Sequence, residues 1–168
     1  MDRGWIGTGP KVQQFEQAFR EYLGVPHAVA VNSCTAALHL SMIVAGIERG
    51  DEVITTSMTF AATANAIIHA GGTPVLVDCD RRTQLIDVNS IERAITPRTR
   101  AIIPVHLAGR ICDMRSIMEL ARKHGLIVIE DAAHAIEGAI DGQKVGGIGD
   151  FTCFSFYVTK NITTGEGG

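Results

Sequence analysis

Leu126-Ile127-Val128-Ile129-Glu130-Asp131-Ala132-Ala133-His134 is the stretch that decides the fold. It opens as a continuous apolar run, not an alternating one. A strand of that kind, read here from Leu126 to Glu130, is covered on both faces, as in a parallel sheet with helices on either side. The run then breaks into two carboxylates and, three residues on, a histidine. In such sheets ligands bind outside the carboxyl ends of the strands, so this segment also indicates where chemistry is to be sought.

Working outward, short apolar runs and helical stretches alternate in both directions. An amphipathic helix is expected from Pro10 to Leu23, with Val12, Phe15, Phe19 and Tyr22 on one stripe, Pro10 at its first position and Gly24 at its stop. Strands are expected at Ala28–Val31, Glu52–Thr55, Pro74–Val77, Ala101–Val105 and Phe151–Phe156. Helices are expected from Thr35 to Ala45, from Phe60 to Ala70, near Ser90–Ile95, and from an Asp113 cap to His124, stopped by Gly125. Gly146-Gly147-Ile148-Gly149 reads as a turn before the last strand. Six strands mostly separated by helices predict a single α/β domain, a largely parallel sheet with helices on both faces and right-handed crossovers.

Composition narrows the function. The 168 residues are 46% apolar and 20% charged, which excludes a disordered chain or a coiled coil. The net charge of −3 offers no basic excess to a phosphate backbone, so no nucleic-acid partner is expected. No apolar run is long enough to span a bilayer, and Met1-Asp2-Arg3-Gly4-Trp5 lacks the pattern of a signal peptide. The expected location is cytoplasmic, with no membrane partner. Cys34, Cys79, Cys112 and Cys153 contain no CxxC pair and read as buried reduced thiols, with no metal site. No G-x-G-x-x-G follows the first strand, which argues against a dinucleotide-binding domain.

Four strand ends carry candidate chemistry. Asn32-Ser33-Cys34-Thr35-Ala36-Ala37 places hydroxyls and unpaired N–H groups at a helix N-terminus, a natural phosphate site, although Ser33 or Thr35 can equally be a plain N-cap. Phe60 stands at a helix start, where its ring either lies against a flat ligand or joins the core. Asp131 either pairs with a protonated ring nitrogen or caps a helix, and His134 either reaches the same ligand or is a satisfied polar histidine. Glu130 reads as structural. Lys160 follows a buried strand in apolar company, where an amine sheds its proton easily and becomes nucleophilic; on the surface it is an ordinary solvated charge. Together these residues form the set that pyridoxal phosphate (PLP) requires: a lysine, a carboxylate for the pyridine nitrogen, an aromatic face, and hydroxyls with a helix N-terminus for the phosphate.

Several stretches carry a closer likeness. They are Gly9-Pro10-Lys11-Val12 with Phe15-Glu16, the segment from Asn32 to Leu38, Gly50-Asp51-Glu52-Val53-Ile54, Glu130-Asp131-Ala132-Ala133-His134, and Phe154-Ser155-Phe156 through Thr159-Lys160-Asn161 to Gly168. In this order the chain resembles the DegT/StrS-type PLP-dependent sugar aminotransferases of fold type I. The resemblance implies a three-layer α/β/α large domain over residues 1–168, incomplete, with the C-terminal small domain absent. It implies that Lys160 forms the Schiff base and shuttles a proton, that Asp131 pairs with the ring nitrogen, and that His134 contacts the region of the phenolic oxygen. Phe60 then stacks on the ring, and Thr35, Ala36 and Ser155 hold the phosphate.

The implied reaction moves an amino group, with glutamate as donor, to a nucleotide-linked keto-sugar in a homodimeric enzyme. Tyr157 departs from the histidine that many members carry there. Relatives also have a further stretch before Gly4-Trp5-Ile6. One alternative is a non-catalytic truncated fragment that binds PLP or a nucleotide-sugar without turnover. Another is a PLP-dependent sugar dehydratase of the same family, against which Lys160 argues, since those relatives have histidine in its place.

Overall fold

The computed structural model describes residues 8–168; the readings of Met1–Trp5 and of Gly4-Trp5-Ile6 fall outside the described residues. Five strands form the main sheet: β1 (Glu52–Thr56), β2 (Thr73–Val77), β3 (Thr99–Ile103), β4 (Ile127–Asp131) and, after the short hairpin strands β5 (Ala139–Ile140) and β6 (Gln143–Lys144), β7 (Phe151–Cys153). Their order is β2-β1-β3-β4-β7, and every neighbouring pair is parallel.

The pleat sorts the apolar residues to two faces. Val53, Ala101, Ile103 and Ile129 pack with Leu38 and Met42 of α2 (Cys34–Val44) and with Ala66 and Ile67 of α3 (Ala61–His69). Ile54, Ile102 and Val128 pack with Ile91 of α4 (Val88–Ala94) and with Met114, Ile117, Leu120 and Ala121 of α5 (Met114–His124). The result is the expected α/β/α sandwich. It explains why β1 is buried along its whole length and why its sequence does not alternate.

Chain direction follows from the strand order. From β1 the chain steps outward to β2, crosses back over β1 to β3, and then continues to β4 and β7. Consistent handedness puts the first crossover helix, α3, on one face and α4 and α5 on the other, as the two clusters confirm. The reversal between β1 and β3 opens a crevice at their carboxyl ends.

Helix α1 (Pro10–Leu23) lies outside these layers. It starts on Pro10 and ends at Gly24, whose φ of 70° is the left-handed cap expected of a glycine stop. Phe15 and Phe19 meet Phe156 edge-on at centroid distances of 5.1 and 5.5 Å, and Phe19 meets Phe154 at 5.1 Å. The stripe read from the sequence thus clamps the segment that follows β7.

Two expectations need correction, and one element was unexpected. Ala28–Val31 is not a strand. The Ala30 N–H donates to the Glu16 carboxylate at 2.9 Å, and Val31 exchanges two hydrogen bonds with Gly168, so no ladder remains for a neighbouring strand. The last strand stops at Cys153, because the Phe156 N–H turns to the carbonyl of Gly167. The β5–β6 hairpin was not foreseen, although Asp141 and Gly142, with φ of 51° and 79°, form the Asp-Gly turn that favours such hairpins.

A buried polar knot fixes the end of β4. Glu130 and His106 are fully buried. The Nδ1 of His106 accepts the Cys112 N–H at 3.2 Å, which leaves the ring proton on Nε2 to donate to Glu130 at 2.9 Å. The other Glu130 oxygen accepts from the Gly149 N–H and the Thr152 hydroxyl, both at 2.8 Å. Glu130 is therefore structural, as its sequence context suggested. Glu130→Ala should strand all three donors and cost about 3–5 kcal/mol, the usual loss when one partner of a buried charged network is removed. Urea denaturation monitored by circular dichroism checks this, and a loss below about 1 kcal/mol would contradict the arrangement.

Candidate functional site

At the carboxyl edge of the sheet, Asp131 closes β4 and is only 5% exposed. Its Oδ2 accepts the Thr63 hydroxyl at 2.8 Å, and its Oδ1 accepts the Ala133 N–H at 3.2 Å. Its backbone N–H and C=O pair with Pro104 and His106, the continuation of β3. The carboxylate is thus held on both oxygens, and its backbone is fixed in the sheet, at the crevice next to the β1–β3 switch. It caps no regular helix: residues 132–138 run as turns, with Ala135 N–H bonded to Ala132 O.

His134 emerges from this turn. Ala108, in left-handed backbone conformation (φ 53°), donates its N–H to His134 Nδ1 at 3.3 Å. In the neutral ring the proton therefore sits on Nε2. Burial, and then the Lys160 ammonium, lower the pKa of His134 below the ordinary histidine value, against a smaller opposing pull from Asp131. The neutral form is favoured, and its Nε2–H is a donor. Beside it opens a cleft of about 410 Å³ lined by Ala108, Gly109, His134, Glu137 and Asn161 among others.

The N-terminus of α2 carries the candidate phosphate groups. Ser33 is its N-cap, and its hydroxyl accepts the Ala36 N–H at 3.1 Å. The capping reading of Ser33 is correct, then, and among the described residues the N–H groups left without a partner there are those of Cys34 and Thr35. Thr35 is exposed. The Cys34 thiol is held well above its ordinary pKa, chiefly by burial and then by the charges of Asp131 and Cys153, while Lys160 pulls it down. Cys34 at the start of α2 and His134 thus each feel the charges of both Asp131 and Lys160. Burial also pushes Cys112 and Cys153 up to about 12, so both remain unreactive thiols.

Phe60 is the N-cap residue of α3 and is 79% exposed, which rules out its core reading. Ser155 lies between Phe154 and Phe156, both buried against α1, and its hydroxyl accepts the Tyr157 N–H at 3.4 Å. Lys160 sits in the turn after this segment, with its N–H bonded to the Tyr157 carbonyl at 2.9 Å. The water-poor setting expected for it is not met. Lys160 is half-buried, and its apolar neighbours Tyr157, Val158 and Ile162 are themselves exposed. Beyond it, Gly168 packs so closely on α2 that a Cβ would lie 2.3 Å from the Ser33 carbonyl carbon. Only glycine permits this return of the loop to the helix N-terminus.

Sequence reasoning missed Thr63, Thr59 and Ala108. A threonine inside the otherwise apolar α3, four residues after another threonine, was the available signal for the first two. Ala108 gave none, because its contribution is a backbone N–H.

A parallel α/β/α sheet with a clamped carboxylate, a lysine and a helix N-terminus gathered at its carboxyl edge defines the class: a domain of the fold type I architecture. The chain belongs to the DegT/DnrJ/EryC1/StrS aminotransferase family, whose sequence profile matches residues 1–168. It is 55% identical over 168 residues to the spore coat polysaccharide biosynthesis protein SpsC of Bacillus subtilis, covering all of this chain and 43% of that protein. It is 53% identical over 169 residues to GDP-perosamine synthase of Caulobacter vibrioides, covering all of this chain and 46% of that one. Among solved structures it superposes with a TM-score of 0.95 and 40% identity on a Streptococcus pneumoniae protein assigned by inference as a sugar aminotransferase, in its PLP form, over 98% of this chain and 46% of that one. The chain thus spans under half the length of these relatives.

Proposed function

We propose that residues 1–168 are the large, cofactor-binding domain of a PLP-dependent sugar aminotransferase. The observation that carries this reading is Asp131. A carboxylate buried at the end of a parallel strand and held by a hydroxyl and a backbone N–H suits a cationic ring nitrogen better than it suits the core. The donor set fits the rest of the cofactor. The exposed Phe60 ring offers a face for stacking, His134 Nε2–H a donor for the ring's phenolic oxygen, and the start of α2 a dipole and N–H groups for a phosphate.

When bound, PLP supplies an electron sink for the carbon that gains or loses the amino group. The chain's residues do the remainder. Asp131 would hold the ring nitrogen through its negative charge. Lys160 would supply the amine that holds the cofactor and would carry a proton to and from the reacting carbon. Thr35, Ala36, Ser155 and the N–H groups of α2 would hold the phosphate. Glutamate is the amino donor and a nucleotide-linked keto-sugar the acceptor, in a cytoplasmic homodimer; no helix of the described residues is long and apolar enough to cross a membrane.

Transfer of label from [15N]glutamate to a nucleotide-linked keto-sugar, followed by mass spectrometry with the full chain, tests the reading. Labelled amino-sugar is the expected product. PLP bound without label transfer to any keto-sugar offered would support the non-catalytic alternative instead.

A further inference from the structure

Thr63 is fully buried in the first turn of α3, 68 residues from Asp131 in sequence, and its hydroxyl meets Asp131 Oδ2 at 2.8 Å. A helical threonine hydroxyl ordinarily bonds back to a carbonyl three or four residues earlier. Here it is diverted to a side chain on another element. Thr59 Oγ1 lies 2.8 Å from the same Thr63 oxygen. A carboxylate only accepts hydrogen bonds, so the single Thr63 proton goes to Asp131. Thr59 must therefore be the donor to Thr63, and the direction of the chain is fixed: Thr59 to Thr63 to Asp131. With Ala133 N–H on the other oxygen, the carboxylate is bonded on both sides and cannot rotate without breaking one of the two. Phe60 opens the same helix three residues before Thr63, so one rigid helix start sets both the aromatic face and the orientation of the carboxylate.

We propose that Thr63, oriented by Thr59, is a positioning residue for the cofactor: it fixes the rotation of Asp131, so that the carboxylate stays aimed at a bound pyridine nitrogen and holds its proton. This rests on the PLP reading above. Thr63 is fully buried, and its role is exerted through Asp131. Valine has nearly the shape of threonine and no hydroxyl. Thr63→Val leaves one Asp131 oxygen without its donor and frees the carboxylate to rotate.

The test uses the full chain and PLP carrying 15N in the ring. Binding is followed by absorbance titration, and the ring-nitrogen chemical shift, which separates pyridinium from neutral pyridine, is read by NMR. The wild type should show a pyridinium shift. Thr63→Val should move it toward the neutral ring and weaken PLP binding about tenfold, as expected for losing a hydrogen bond to a charged group. Thr63→Ser should restore both. If the valine variant loses its circular dichroism signal, Thr63→Ala is read in the same way. A wild-type ring shift in a folded hydroxyl-less variant overturns the inference while leaving the PLP reading intact. Failure of the wild type to bind PLP overturns both.

Discussion

Treated with PLP and then borohydride, the full chain should carry a reduced pyridoxyl group on Lys160, and Lys160→Ala should carry none. The same variant should lose amino transfer by at least about 10⁴-fold, the scale seen when a covalent catalytic group is removed. The expectation comes from position. Lys160 is held in a turn directly after the segment that α1 clamps through Phe154 and Phe156. Its charge is felt by His134 and by Cys34, on two different elements. Lys123 and Lys144 are engaged elsewhere, with Glu92 and with the Tyr22 carbonyl and ring. Peptide mass spectrometry decides the matter. An adduct spread over several lysines would mean surface labelling, and no adduct on a folded chain would favour the non-catalytic alternative.

Asp131→Asn should be the second most damaging change. The amide keeps the shape of the site and its oxygen can accept the Thr63 hydroxyl, while its NH2 then faces the Ala133 N–H, so the fold should survive with a modest drop in melting temperature. It cannot supply the negative charge. Removing one partner of a buried ion pair costs about 3–5 kcal/mol, so amino transfer should fall by roughly 10² to 4 × 10³-fold, at about 1.4 kcal/mol per factor of ten. Steady-state kinetics beside thermal melts separates the two effects. A near-normal rate would remove the main support for the proposed function, and a collapsed melting temperature would show that the charge serves the fold.

Much of the architecture was legible in the chain. Pro10 and Gly24, or Asp113 and Gly125, set helix ends through local backbone chemistry that needs no tertiary partner. The continuous apolar strands announced a sheet covered on both faces, and Val53 and Ile54 do pack on opposite helical layers. The failures have physical causes. Ala28–Val31 is apolar enough for a strand, but a carboxylate 14 residues upstream takes the Ala30 N–H. The β5–β6 strands are two residues each, too short to show a period, and only the Asp-Gly turn betrayed them. Lys160 has apolar neighbours in sequence, yet apolar neighbours exclude water only when something packs over them, and here they are exposed.

Layers, sheet direction and family follow from the order of the amino acids, because these depend on periodicity, caps and ordered motifs written over short spans. The same reading singles out Asp131, His134 and Lys160 from their places after strands. How those groups are held is settled by packing. The Thr63 hydroxyl on Asp131, the Ala108 N–H on His134 and the His106–Glu130 pair join residues 68, 26 and 24 positions apart. Hydrogen bonds of that kind depend on angles and distances of a few tenths of an ångström, which emerge only when the helices have packed against the sheet.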